Sequence, residues 1–271
     1  MLEVPNILFV AWQDQDYAYH PVGRLVRTHG GTDTRFEFAY IHGAITARDS
    51  SGFRPFMAFP DFNRVYRSRD LFPFFTNRLM QPSRPDYAAY IGNLGLDPSM
   101  ADPFAILARS GGGRATDSIE VFPYPTFSPE IGYETIFCAN GVRWLPEFFR
   151  EHILTLQPNQ PLLIMMDCQN PVDPNAIALR TENKIMVGYI PGYLLADAAT
   201  LRQSCPFDSH TIKVLRANTP PATLQQRLVC HLAICCPDNF VPYSTETYQP
   251  IAPAAAPVEG GTHVRIGAPA A

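Results

Sequence analysis

Between Asp167 and Leu201 the chain reads DCQNPVDPNAIALRTENKIMVGYIPGYLLADAATL, and no other stretch limits the possible folds as tightly. Asn170, Pro171, Asp173, Pro174 and Asn175 fill five of six consecutive positions. Proline lacks an amide hydrogen and fixes φ, while Asn and Asp side chains bond their own backbone, so the chain must loop there. Pro161–Met166 (PLLIMM) comes just before, a nearly continuous apolar run that predicts a short strand buried on both faces. Ile177–Arg180 and Ile185–Ile190 predict two further strands, joined by a hairpin at Thr181-Glu182-Asn183-Lys184. Pro191-Gly192 ends the second, and Leu194, Leu195, Ala198 and Leu201 then fall at helical spacing. The unit is strand, Asp/Asn loop, hairpin, helix.

The string Asn170-Pro171, Asp173, Asn175-Ala176-Ile177, followed by Val187-Gly188-Tyr189-Ile190-Pro191 and a helix, resembles the HIRAN domain. The resemblance implies a small β-barrel related to OB folds, of the kind that captures the 3′ end of single-stranded DNA. It extends upstream, where Gly141, Arg143 and Trp144 match a Gly-x-Arg-aromatic stretch that supplies a basic contact and a base-stacking ring. The implied binding residues are Arg143, Trp144, Asp173 and Tyr189. Their chemistry suits that role, since Arg pairs with phosphate, Trp offers a stacking face, and a carboxylate on a turn accepts from a terminal hydroxyl. Structural roles are open to the same residues. Asp173 and Asn175 can cap a tight turn, Tyr189 can be a half-buried strand residue, and Trp144 can be core with Arg143 a surface cation. Three positions depart from the family pattern: Gly192 stands where a basic residue follows the proline, Leu145 where a second aromatic is common, and Val172 where an aromatic precedes the Asp. The first removes one phosphate contact.

Around this unit, Thr126–Tyr133 is expected to link two halves, and Glu134–Ala139 to open the second as a strand before an Asn140-Gly141 turn. Val142, Leu145, Phe148, Phe149, His152 or Ile153, and Leu156 give a helix-like stripe with Pro146 in its first turn. Thr211–Ala217 and Leu224–Cys236 predict strands that close the barrel. From Pro250 the sequence is rich in Pro, Ala and Gly without a core-forming pattern, which predicts a flexible tail.

The first half opens with strands at Ile7–Trp12, Val22–Val26 and Arg35–Tyr40, the last alternating with period two. Prolines among the aromatics of Phe53–Phe75 forbid one long helix. Short helices are expected after Leu71, over Tyr87–Leu94, and over Pro103–Ala108 with Asp102 as cap; Ile119–Phe122 is a closing strand. The order Val22-Gly23-Arg24-Leu25, Phe72–Leu79, Asp102–Ala108, Gly112-Gly113-Arg114 and Val121–Pro123 resembles the N-terminal subdomain of HipA-type kinase toxins. That implies a small α/β unit used for contacts between domains and with partners. The family's kinase core has no counterpart here. Gly111-Gly112-Gly113-Arg114 lacks the downstream GK[ST] of a phosphate loop and reads as a surface loop. Arg64, Arg67 and Arg69 form a basic cluster that reads either as a site for nucleic acid or an acidic partner, or as a solvated edge balanced by Asp61 and Asp70.

The expected fold is therefore α+β in two domains. Residues 1–127 form the HipA-N-like α/β unit, residues 132–248 an OB-like β-barrel with short helices, and residues 249–271 the tail. A net charge of −4 argues against broad duplex binding through many phosphates, but not against a grip on one strand end. No apolar run approaches a membrane span, so a cytoplasmic protein is expected. Six irregularly spaced cysteines form no CxxC pair, and Cys230, His231, Cys235 and Cys236 lie on an alternating run that scatters them over two faces. No metal and no cofactor is expected. With no Walker A, GxSxG or HExxH motif, the sequence points away from catalysis and towards a binding protein. Its expected partners are single-stranded DNA at a 3′ end and a protein such as a helicase, nuclease or HipA-type kinase. The alternative is a protein-interaction subunit, antitoxin-like or kinase-associated, with no nucleic-acid role.

Overall fold

The computed structural model describes residues 6–30, 33–98, 101–114, 117–128, 130, 132–204, 210–237 and 240–252. It is a mixed α/β molecule built on two antiparallel sheets with a few short helices. In the first sheet, β1 (Ile7–Gln13), β2 (Tyr19–Gly30), β3 (Asp33–Tyr40), β4 (Tyr66–Ser68) and β5 (Ile119–Pro123) run in the order β4-β3-β2-β1-β5. Alternation on β3 sends Phe36, Phe38 and Tyr40 to one face, where Phe53, Phe59, Phe75 and Phe104 bury them. The helix Pro103–Ser110 starts as expected: the Asp102 carboxylate accepts from the Phe104 and Ala105 amides at 2.8 and 2.9 Å. The helix α1 (His42–Ser51) had no sequence signal. It buries only Gly43, Ala44 and Ala47, too thin a stripe to show as periodicity.

The second sheet has seven strands: β6 (Thr126–Ser128), β7 (Gly132–Cys138), β8 (Pro161–Met166), β9 (Ile177–Arg180), β10 (Met186–Tyr189), β11 (His210–Ala217) and β12 (Leu228–Ile234). Their order is β10-β9-β8-β11-β12-β7-β6. Its core includes Phe137, Leu145, Ile153, Leu179, Val187, Leu201, Val214 and Leu232.

Several expectations change. Thr126–Ser128 is not a free link, because it pairs with Gly132–Glu134 as an edge strand. The long strand expected from Leu224 begins instead with a 3-10 turn over Leu224–Gln226. The run Pro161–Met166 is not buried on both faces: Leu162 is buried, while Leu163, Met165 and Met166 are 39%, 43% and 41% exposed. Its neighbours β9 and β11 are both antiparallel to it, and an antiparallel sheet needs cover on one face only. Nor does the sheet close into a barrel among the described residues. Among the described residues a single bridge, Asn140 to Tyr189, joins β10 back to the end of β7.

The two sheets meet at a third apolar cluster of Phe9, Ala11, Ile41, Phe122, Tyr243 and Tyr248, with Tyr193 stacked on Phe122 at 4.3 Å. The first residues of the expected tail are bonded to the first sheet. The His42 amide donates to Gln249 and the Ile251 amide to Tyr40. The tail from 253 onward, and Cys205, lie outside the described residues.

Candidate nucleic-acid interface

The bridge at Asn140 organises the four residues singled out in the sequence. Asn140 and Tyr189 exchange two backbone hydrogen bonds, each 2.9 Å. Such close approach needs glycine on both sides. Gly141 takes φ +73° and Gly188 φ +146°, and a Cβ on Gly141 would come within 2.7 Å of the Tyr189 ring. The Tyr189 ring therefore lies against the turn from which Arg143 and Trp144 emerge. That turn is a single 3-10 turn, Val142–Trp144. Residues three apart eclipse in such a turn, so Val142 and Leu145 both enter the core and the two residues between them face outward. Trp144 is 75% exposed, with the Arg143 guanidinium 4.6 Å over its ring.

On the other side, the Tyr189 hydroxyl donates to Asp167 Oδ2 at 2.9 Å. Burial, aided by the adjacent Asp167 carboxylate, pushes this phenol up to about 12, so it stays a donor at neutral pH. Asn170 also donates to Asp167 Oδ2, at 3.0 Å, and its Oδ1 accepts from the Val172 and Asp173 amides. Asp173 in turn accepts from the Asn175 amide at 2.8 Å through Oδ1. The turn-capping role foreseen for Asp173 is thus present. Among the described residues no hydrogen bond joins it to Arg143 or Trp144. The connection between the two loops runs through Tyr189, Asp167 and Asn170.

Three further residues belong to this region and went unnoticed in the sequence. Asp167 is the anchor for both Tyr189 and Asn170. Tyr19, on the first sheet, comes within 4.0 Å of the point where a Cβ on Gly192 would sit. Burial, aided by the Glu120 carboxyl on β5, two strands away, raises the Tyr19 phenol, and the Arg143 charge opposes that rise. Burial raises the Glu120 carboxyl to about 7, and the Tyr19 hydroxyl opposes that rise. Nothing local in the sequence announces Tyr19, since residues 19 and 192 come together only through the packing of the two halves.

The other polar clusters are already engaged. Arg67 pairs with Glu37 at 2.8 Å, and Arg64 lies over the Tyr66 ring at 5.2 Å. The Gly112 carbonyl accepts from Arg78, which also holds Asp117 through two bonds. Among the described residues no three His, Cys, Asp or Glu side chains gather as a metal site, and no helix is long and apolar enough to cross a membrane.

No family model matches this chain, and no curated protein is similar to it. Among solved structures, one protein from Lactobacillus plantarum, a structural-genomics target, is similar at 18% identity over 37% of this chain and 98% of that one. Its TM-score of 0.26 is too low to carry an argument.

Proposed function

We propose that this chain is a non-catalytic binding protein whose second half holds the end of a single nucleic-acid strand, DNA with a free 3′ hydroxyl in the first instance. One observation carries this reading: Trp144 projects 75% exposed beside a cation stacked on its ring, on a turn fixed to Tyr189. An exposed Trp costs solvation unless a partner covers it, and every base has a π-face to do so. In this reading Trp144 stacks on the terminal base, Arg143 pairs with a phosphate, Asp173 accepts from the 3′ hydroxyl, and Tyr189 holds the two loops in register. The HIRAN and HipA-N resemblances, an open OB-like barrel as the second unit, and cytoplasmic work beside a helicase, nuclease or HipA-type kinase all belong to the same proposal.

The test is fluorescence anisotropy with a short oligonucleotide ending in a 3′ hydroxyl or a 3′ phosphate, at rising salt. Binding that weakens with salt and prefers the hydroxyl is expected, because phosphate contacts release counterions and a carboxylate repels a phosphorylated end. In Asp173→Ala the preference for the hydroxyl should vanish. Equal binding of both ends by the unaltered protein removes the role given to Asp173. A second reading, a protein-interaction subunit, draws on the exposed side chains Leu163, Met165, Met166 and Val172. It gains if no oligonucleotide binds.

A further inference from the structure

The two halves together line a polar cleft of about 390 Å³. Small-molecule sites span roughly 300–1,000 Å³, so this one has room for a compact ligand. The first half contributes Gln81, Arg84, Tyr90 and Gly113, the second Gln225 and Gln226. Both walls are held in place. On one side Arg78, its side chain only 3% exposed, donates to the Gly112 carbonyl at 3.2 Å and to both Asp117 carboxylate oxygens. On the other, the buried Asn218 donates from Nδ2 to the Asn93 carbonyl at 2.7 Å and to the Gln226 carbonyl at 2.6 Å. One side chain thus ties the end of the helix Tyr87–Asn93 to the turn Leu224–Gln226. A cleft whose walls are already set has less order to lose when a ligand enters.

Charge decides what fits. Arg78 pairs with Asp117 and Arg84 with Asp86, so both cations at the cleft are neutralised and a phosphate finds no unpaired partner among the described residues. The groups left over are neutral. Among the described residues no hydrogen bond engages the side-chain amides of Gln81, Gln225 or Gln226. Each such amide carries donors and an acceptor side by side, and Tyr90 adds a half-buried ring. A nucleobase is a flat, uncharged heterocycle with donors and acceptors along its edge, and a glutamine amide matches adenine in particular. Position points the same way. The turn that supplies Gln225 and Gln226 lies against the turn that carries Arg143 and Trp144, so the cleft adjoins the strand-end site.

We propose that the cleft is a base-reading pocket, which receives one nucleobase, adenine best, from the strand whose end stacks on Trp144. This rests on the strand-end reading above and adds a sequence preference to it. Arg143 takes a phosphate at the rim, and the neutral cleft takes a base by its edge.

The test uses the whole chain and fluorescein-labelled hexathymidylates with free 3′ hydroxyls, in which one adenine replaces thymine at each position in turn. Adenine at one position should tighten binding roughly fivefold or more, the size of one paired amide-to-base contact. In the double variant Gln81→Ala, Gln225→Ala that gain should fall to within about twofold, while the preference for a 3′ hydroxyl over a 3′ phosphate persists. Both glutamines are exposed, and thermal melting shows whether the double variant is folded. If it is not, Gln225→Ala alone carries the test, and the adenine gain should still shrink. An adenine preference that survives in the folded variant belongs elsewhere on the protein and overturns the pocket. So does the lack of any preference at all six positions, while Trp144→Ala still weakens binding; the strand-end reading then stands. If the unaltered protein binds free adenosine but no oligonucleotide, or neither, the strand-end reading fails and the pocket proposed for its strand falls with it.

Discussion

In the first half, Phe38, Phe59 and Phe75 are all buried, with the Phe38 and Phe59 ring centroids 4.1 Å apart; in the second, Trp144 is 75% exposed and Phe148 64%. The same class of side chain does opposite work. Between Phe53 and Phe75 the prolines fold a dense aromatic run back across one face of the first sheet, and the rings fill it. After Gly141 a lone 3-10 turn points two residues inward and two outward, and the outward pair is Arg143 and Trp144. Aromatic density marks a core here, and an isolated Trp behind a glycine turn marks a surface.

The sharpest way to break that contrast is to shorten one ring in each region. Phe59→Ala should destabilise the protein by about 3–5 kcal/mol, because it leaves a cavity among Phe38, Tyr66, Phe72 and Phe75. Urea denaturation measures this. Trp144→Ala should change stability by about 0.5 kcal/mol or less and cost roughly 1–3 kcal/mol of oligonucleotide binding whatever the base. A Trp144 variant as destabilised as the Phe59 variant would mean that its ring is packed in solution.

The boundary between the two regions has its own signature in pH. Burial lifts the Glu120 carboxyl from its ordinary 4.5 to about 7. Between those values the folded protein holds a proton that the unfolded chain releases, so this group lowers stability as pH rises through the window. Below 4.5 both states are protonated and the cost is gone; above 7 it is fully present. Glu120→Gln should therefore be more stable than the unaltered protein above pH 7, by on the order of 2 kcal/mol, and no more stable at pH 4. Thermal melts at the two pH values check it. Equal gain at both would assign the effect to packing and not to charge.

Much of the second half was legible because its signals are local. The Asn170–Asn175 loop, the Thr181–Lys184 hairpin and the Asn140-Gly141 turn each follow from a few adjacent residues whose backbone preferences leave one choice. What stayed hidden is non-local. Tyr19 and Glu120 are ordinary polar positions on strands, and only the packing of the two halves brings Tyr19 to Gly192. The misjudged strand Pro161–Met166 has a related cause: an apolar run gives the side chains but not the layers that cover them. Closure of the second sheet was equally unreadable, since it depends on how far β10 swings towards Asn140, and among the described residues it stops at one bridge.

The smallest expected effect tests the site where the two regions touch. Gly192 stands where a basic residue would supply a further phosphate contact, and its backbone is 3-10 rather than left-handed, so a side chain is tolerated there. Among the described residues a Cβ would meet only Tyr19, at an ordinary contact distance of 4.0 Å, which leaves an Arg free to extend along that ring. Gly192→Arg should then tighten oligonucleotide binding by about tenfold or less, the size of one exposed ionic contact, and the gain should shrink as salt rises. The stability of the fold should barely move. A gain that survives high salt would come from stacking on Tyr19 and not from phosphate pairing. No gain in a folded variant would mean that a bound strand does not pass between Gly192 and Tyr19, and the rim would then end at Trp144.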